Sequence, residues 1–549
     1  MNTGRQGARE AGFCGHGSKR PIRGEQARVE SQRPLAVRWT ASSSSTIRIS
    51  RFISGHGQLR GQLRGRLRDL RFMPGCGTNR GSRLRMAAAE VPMAIPPAAA
   101  HKIPARLRQA LYGVLVAASL LTGGGTARAV RILAGPMVGA VTSTSARVWI
   151  ALDTSDVVRV RCFDINTNRE VCSIGTAVHG PPPFIVNAPL GGLQPDRDYR
   201  ITLTANGAPV PLPPPALIIH TYPAPRILDN FTLAFGSGSD TVRYPDVSIW
   251  RQIARLQPRA FIFAGDTMFL PKKLSAFPYT YYAALRFIEQ HYAQARRYRG
   301  WQRLLRICPL YATWDNRDFG TLHAGASFVF RDESLLAFEK YWPNPGYGYR
   351  ATLGTFCRFR LGDVEVFLLD DRTFRRPPAP GHPGTMLGAA QLAWLKRRLL
   401  QSRADFNLIV DGDPMLAKYH HHECWANFGA EREKFLQWLF THDVSGVVFL
   451  SGHNGFGELT RRPADPRALD QYPLYDLTSS SLAAAPLAPD HLARWRNAWR
   501  IGAPVRAHNF GVIAVGGPAG NRHLTMRLVD AHGQTRLSKT LSVSMLSAN

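Results

Sequence analysis

Downstream of residue 225 the hydrophobic positions fall in short unbroken runs, and each run ends in a polar cluster. Residues 231–235 run into GSGSD, 261–263 into Ala264-Gly265-Asp266, and 310–313 into Trp314-Asp315-Asn316-Arg317-Asp318. Later, 364–369 lead to Asp370-Asp371-Arg372, 408–410 to Asp411-Gly412-Asp413, and 447–450 to Ser451-Gly452-His453-Asn454. Uniformly apolar strands belong to sheets covered on both faces, and ligands gather beyond the carboxyl ends of such strands. One Asp-Gly at a strand end is an ordinary turn; six polar strand ends in succession predict a common functional rim. Helical patterns lie between the runs. Residues 247–256 put Ile249, Ile253 and Leu256 on one face, and 390–401 do the same with Leu392, Leu395 and Leu399. The stretch 226–549 is therefore predicted to be an α/β domain, closed by β-like segments at 510–515, 523–529 and 540–544 that complete a sheet edge.

The pattern before residue 225 is different. Short β-rich runs at 147–151, 157–163, 199–204 and 217–221 alternate with Gly, Pro and Asn/Asp turns, the signature of a small antiparallel β-sandwich over 130–225. The prolines of 211–215 and 222–225 read as its exit linker. No titratable cluster marks this module, so it is expected to pack on the larger domain; carbohydrate or wall binding is the other role open to it.

Charge changes the picture at the N-terminus. The chain of 549 residues carries a formal +31, but 22 basic and 5 acidic residues fall within 1–129, so over half of the excess lies in the first quarter. Residues 1–92 have no sustained apolar period and read as a basic disordered leader, lying before the true start if Met86 or Met93 begins the protein. Residues 93–129 resemble a secretory signal peptide: Lys102, Arg106 and Arg108, then the apolar run 110–121, then Ala127-Arg128-Ala129. About a dozen apolar residues are too few to span a bilayer, so cleavage after Ala129 and a periplasmic or extracellular location are expected, with no permanent membrane anchor. A nucleic-acid partner is not favoured, because the basic excess sits in this leader. In an oxidising compartment Cys162 and Cys172, flanking a turn, could close a hairpin disulfide, the alternative being two reduced core thiols. There is no CxxC pair, which leaves zinc-ribbon and thioredoxin-type sites unsupported.

Asp, Asn and His offered by successive strand ends are what metal-assisted phosphoester hydrolysis requires, since carboxylates hold cations that neutralise phosphoryl oxygens. The ordered series AFGSGSD, AGDTMF, ATWDNRDFG, LLDDRTFRR, MLGAAQLAWLKRRLL, LSGHNGFGEL and YDLTSSSL resembles the PhoD-like alkaline phosphatases of the metallophosphatase superfamily. The segment LAGPMVGAVTSTSARVWI is similar to that family's N-terminal β-sandwich. The resemblance implies an αββα metallophosphatase sandwich preceded by a small antiparallel β-sandwich. It also implies a phosphomonoester or phosphodiester substrate and a calcium and iron type centre.

Several positions depart from the family pattern. FGSC has Gly238 in place of its Cys, GDxxY keeps Asp266 but has Phe269, and WDDHDYG becomes WDNRDFG, with Asn316, Arg317 and Phe319 substituted. SGDRH becomes Ser451-Gly452-His453-Asn454-Gly455. Two functions of different class follow. In the first, Asp266, Asp315, Asn316 and His453 hold metal, with Arg317, Arg372 and His453 as the groups acting on phosphate. In the second, a catalytically degenerate relative binds an anion or partner at the same rim, a role suited to Arg372, Arg375 and Arg376. Asp411, Asp413, Glu423 and the run His420, His421, His422 are expected near that rim, the run as a polar loop or part of a rebuilt metal site.

Overall fold

A computed structural model describes residues 130–548 except 155–156, 179–181, 225–228, 246–247, 420–422 and 469–470. The basic leader, the export signal and His420, His421 and His422 lie outside the described residues. Two small antiparallel sheets come first. One joins β1 (Ile132–Gly139), β2 (Ser145–Leu152) and β5 (Phe184–Gly191); the other runs β4 (Glu170–Ala177), β3 (Val157–Asp164), β6 (Asp198–Ala205), β7 (Ala208–Val210), with β8 (Ile218–His220) also on β6. Cys162 and Cys172 are direct partners across β3 and β4, as the hairpin pattern requires, and both are free thiols.

Two seven-stranded sheets form the rest. The first runs β11 (Leu310–Thr313), β10 (Ala260–Ala264), β9 (Phe231–Ser239), β22 (Asn509–Gly516), β23 (His523–Asp530), β24 (Thr535–Ser542), with β20 (Ser480–Ala483) pairing β9. The second runs β14 (Cys357–Leu361), β15 (Val364–Leu368), β16 (Phe406–Asp411), β17 (Val447–Ser451), β19 (Leu474–Thr478), β18 (Gly457–Arg462), β21 (Arg500–Val505). A short hairpin of β12 (Gly348–Tyr349) and β13 (Thr352–Leu353) precedes it. In the first sheet β9, β10 and β11 are mutually parallel; in the second β15, β16, β17 and β19 are. All six apolar runs singled out in the sequence are among these seven parallel strands.

Burial explains why those runs are uniformly apolar. Along β10, Phe261 and Phe263 face one core, shared with Ile249, Trp250, Ile253, Ile288 and Tyr292 of the covering helices. Ala260, Ile262 and Ala264 alternate into a second core with Val364, Val366 and Leu408 of the opposite sheet. Helix Gly388–Gln401 then covers the second sheet through Trp394, Leu395 and Leu399. The layers are helix, sheet, sheet, helix. The N-terminal sheets share the second core through Val138, Val148 and Tyr222, and Tyr222 Oη lies 3.1 Å from Tyr311 Oη of β11. Among the described residues no helix is long and apolar enough to cross a membrane.

Candidate metal centre

The carboxyl ends of the parallel strands from both sheets meet at one rim, and glycine lets them approach. A Cβ on Gly412 would stand 2.5 Å from Asp371 Oδ2 and 2.9 Å from Asp315 Cβ; one on Gly265 would stand 2.5 Å from Asp315 Cβ. Asp266 and His453, which follow β10 and β17, hold left-handed backbones with φ of 55° and 73°. For side chains other than glycine that conformation costs about 1–3 kcal/mol and is tolerated where the surroundings dictate it.

After β11 the chain turns into the four-residue helix Asn316–Phe319, capped by a reciprocal box of Asp315 and Asp318. Asp318 is occupied structurally: its Oδ1 accepts from Thr267 N at 2.7 Å, Thr267 Oγ1 at 2.6 Å and Met268 N at 3.1 Å. Asp315 caps with Oδ1, accepting from Asn316 N at 2.6 Å, and its Oδ2 lies 2.7 Å from His453 Nδ1. Asp315, Asp413, Glu423 and His453 place ligand atoms within 4.8 Å of one another, a cluster of metal-ligating type.

Cations already surround it. Arg372 is fully buried and pairs with Asp315, with Asp413 Oδ2 at 3.1 Å, with Glu423 Oε1 at 3.0 Å and with Asp371 Oδ1 at 3.4 Å. Arg375 Nη1 donates to Glu423 Oε1 at 2.6 Å, His323 Nδ1 lies 3.0 Å from the same oxygen, and Asn316 Nδ2 donates to Glu423 Oε2. The electrostatics follow. Burial alone would raise the Glu423 carboxyl, but Arg372 and His323 outweigh it and hold it down at about 2. Burial pushes Asp413 up to about 7 against the pull of Arg372. For His453 burial opposes the charge, yet Asp315, Asp413 and Glu423 win and raise the imidazolium to about 10.

The predicted site residues divide accordingly. Asp315 and His453 are in the cluster. Asp266 is outside the four-group cluster and stands beside it: its Oδ1 accepts from Arg317 N at 3.1 Å, and burial, then Asp315 and Asp318, raise its carboxyl well above the ordinary range. Asn316 supports Glu423 with its amide, while its Oδ1 is buried without a partner. Arg372 is a correction to the sequence reading: enclosed by four carboxylates and without exposure, it neutralises the centre and has no free face for phosphate. Arg317 does not point into the cluster; its guanidinium lies 4.8 Å over the Phe269 ring. Asp413 and Glu423 complete the centre. Asp413 and Glu423 were both expected near this rim, whereas His323 was not, because it lies in a loop whose sequence carries no periodic signal.

The donor set fits one cation. Asp413 Oδ1 and both oxygens of Asp371 are buried acceptors with no hydrogen-bond partner, although Arg372 Nε lies 3.4 Å from Asp371 Oδ1 and His453 Nδ1 3.7 Å from Asp413 Oδ1, so acceptor capacity remains there for a cation. It does not fit the larger calcium and iron centre implied by the resemblance, because Gly238, Phe269 and Gly455 offer no ligand atom.

The family model described as PhoD-like phosphatase matches residues 233–509, just over half the chain. No curated protein matches the chain. Among solved structures, one of PhoD superposes with a TM-score of 0.60 at 15% identity, covering 73% of this chain and 91% of that one. The purple acid phosphatase isolated from yellow lupin (Lupinus luteus) seeds gives 0.53 at 13% identity, covering 75% of this chain and 74% of the other. At such identities these likenesses concern the fold, the metallophosphatase sandwich. The family match spans β9 to the start of β22 and contains every residue of the cluster, and on that ground the chain belongs to the PhoD-like phosphatase family.

Proposed function

We propose that this protein is an exported phosphoester hydrolase working with one divalent cation held by Asp315, Asp413, Glu423 and His453. The observation that carries the reading is the convergence of these four groups, from three strand ends and one loop, on a rim where unpartnered buried acceptors remain. A cation there would supply electrostatic neutralisation of a phosphoryl group. The chain's own residues prepare that place: Asp315 fixes the His453 ring, and Asn316, Arg375 and His323 fix Glu423. The identity of the single cation is left to reconstitution, and a phosphomonoester or phosphodiester is the expected substrate.

One observation favours a second reading, a relative that binds without hydrolysis. Arg372 already bridges Asp315, Asp413 and Glu423, so the guanidinium could serve permanently as the cation. Turnover of an aryl phosphate and a bis-aryl phosphate by EDTA-stripped protein, with calcium, iron, manganese or zinc restored in turn, separates the two. Hydrolysis should depend on the added ion and fall by about 10²-fold or more in Asp413→Asn, the usual loss when a key electrostatic contact goes. No turnover with any ion would leave the binding role.

A further inference from the structure

Arg317 stands two residues after Asp315 yet makes no ion pair with the carboxylates of the cluster. Its backbone N–H is tied to Asp266, and its carbonyl accepts from Leu270 N at 2.9 Å, so the residue is held at both ends of its peptide unit. The side chain leaves on the other side. It lies over Phe269 and lines a cavity of about 280 Å³ that also contains Ser239, Thr241, His291 and Gln294. Its Nε and Nη1 are buried without a hydrogen-bond partner. Arg317 as a residue is half-buried, and leaving these two nitrogens both dry and unpaired is unfavourable for a charged group. The Phe269 ring, 4.8 Å from the guanidinium, compensates in part and restrains its plane.

The other walls suit an anion carrying a small organic group. Ser239 Oγ accepts from Trp301 Nε1 at 2.9 Å, which leaves its own proton free to donate. Gln294 adds an amide, and Val242 and Met268 give an apolar side. Asp240 also borders the cavity, with its Oδ1 engaged by Arg243 N at 3.3 Å. Two of the positions at which this chain departs from the family pattern, 269 and 317, are thus in contact, and together they form a different device.

We propose that Arg317 and Phe269 build an oxyanion subsite, apart from the Asp315, Asp413, Glu423 and His453 cluster, that takes through the guanidinium a phosphate group of the substrate other than the one at the cluster, with no metal ion needed for that contact. This rests on the phosphoester reading for the identity of the anion. The guanidinium offers the planar fork that matches two phosphate oxygens, and the stack on Phe269 lowers the entropy lost on binding.

The test is calorimetric titration of the full chain, stripped with EDTA, with inorganic phosphate and with phenylphosphonate, which cannot be hydrolysed. Wild type should bind both, phenylphosphonate more tightly because of the apolar wall. Arg317→Met should weaken phosphate binding by about 10- to 150-fold, the equivalent of the 1.5–3 kcal/mol of hydrogen bonds to a charged group, and Arg317→Lys should retain part of it. Phenylglyoxal modification of Arg317, mapped by mass, should be slowed by phosphate; this readout needs no variant. Binding that appears only after metal is restored, unchanged binding in a folded Arg317→Met, or absence of phosphate protection would each overturn the subsite. Aryl phosphate turnover is measured alongside. Binding at Arg317 without turnover removes the hydrolytic reading and keeps the subsite, whereas turnover together with unchanged phosphate binding in Arg317→Met does the reverse.

Discussion

Asp315 shows how one side chain can be read in two ways. It caps the helix that follows β11, and it also bridges His453 and Arg372. The sequence displays the first role as the D-x-x-D of a capping box, and the second depends on partners more than fifty residues away. His453 is the residue whose charge the site sets most strongly. Its imidazolium titrates at about 10, above the ordinary value near 6.5, so the folded state holds the proton more tightly than the unfolded chain. The stabilisation is fully present below about pH 6.5 and is lost as pH rises through about 10. In EDTA the melting temperature of wild type should therefore fall across the alkaline range. His453→Asn, which tolerates the left-handed backbone, should flatten that arm, and an equal alkaline decline in both proteins would remove His453 from this role. Glu423 acts at the other end: held at about 2, it contributes stability present above about pH 4.5 and lost as pH falls through about 2. Because a cation must displace the His453 proton, its uptake should strengthen with rising pH.

Elements were the most legible scale. Six apolar runs each became a parallel strand because both faces of β9, β10, β11, β15, β16 and β17 are covered, and the two helical faces appeared as helices Ile249–Leu256 and Gly388–Gln401. Another parallel strand, β19, has no such unbroken run because Asp476 interrupts it; that carboxylate accepts from Met415 N, Leu416 N and Ser451 Oγ and is a buried brace. What period and propensity could not supply was the distance between strand ends. That is set by glycines such as Gly412, whose hydrogen faces Asp371 and Asp315. Gly412→Ala should lower stability by about 1–3 kcal/mol through overpacking, read by denaturant unfolding. A variant as stable as wild type would show that the two sheets are not held this closely at the rim.

At the scale of the whole molecule the N-terminal sheets are bound to the larger part by specific chemistry. Trp149 of β2 donates from Nε1 to Lys340 O at 2.9 Å, and it forms one wall of an aromatic cage around the fully buried Arg296. Trp149, Tyr292, Trp301, Tyr341 and Trp342 all lie 4.6–5.4 Å from that guanidinium, which donates to Tyr292 O and Tyr341 O. Composition could not reveal this, because its members are scattered from 149 to 342. The export reading rests on the segment 93–129, with its basic residues, short apolar run and Ala127-Arg128-Ala129. Mass mapping of the exported protein should find Val130 at its N-terminus; peptides from residues 1–92 in that protein would contradict the reading.

The central claim is that the Asp315, Asp413, Glu423 and His453 cluster holds one cation beside the guanidinium of Arg372. Metal analysis by mass spectrometry after gel filtration, on full-length protein stripped with EDTA and reloaded, addresses it directly. The account predicts one retained cation per chain in wild type. In a folded Asp413→Asn protein affinity should be weaker by about 10- to 100-fold, as for other disturbed metal sites, and the retained ion should be lost on the column. A folded wild type that retains no cation, or an Asp413→Asn protein that retains as much as wild type, would contradict it.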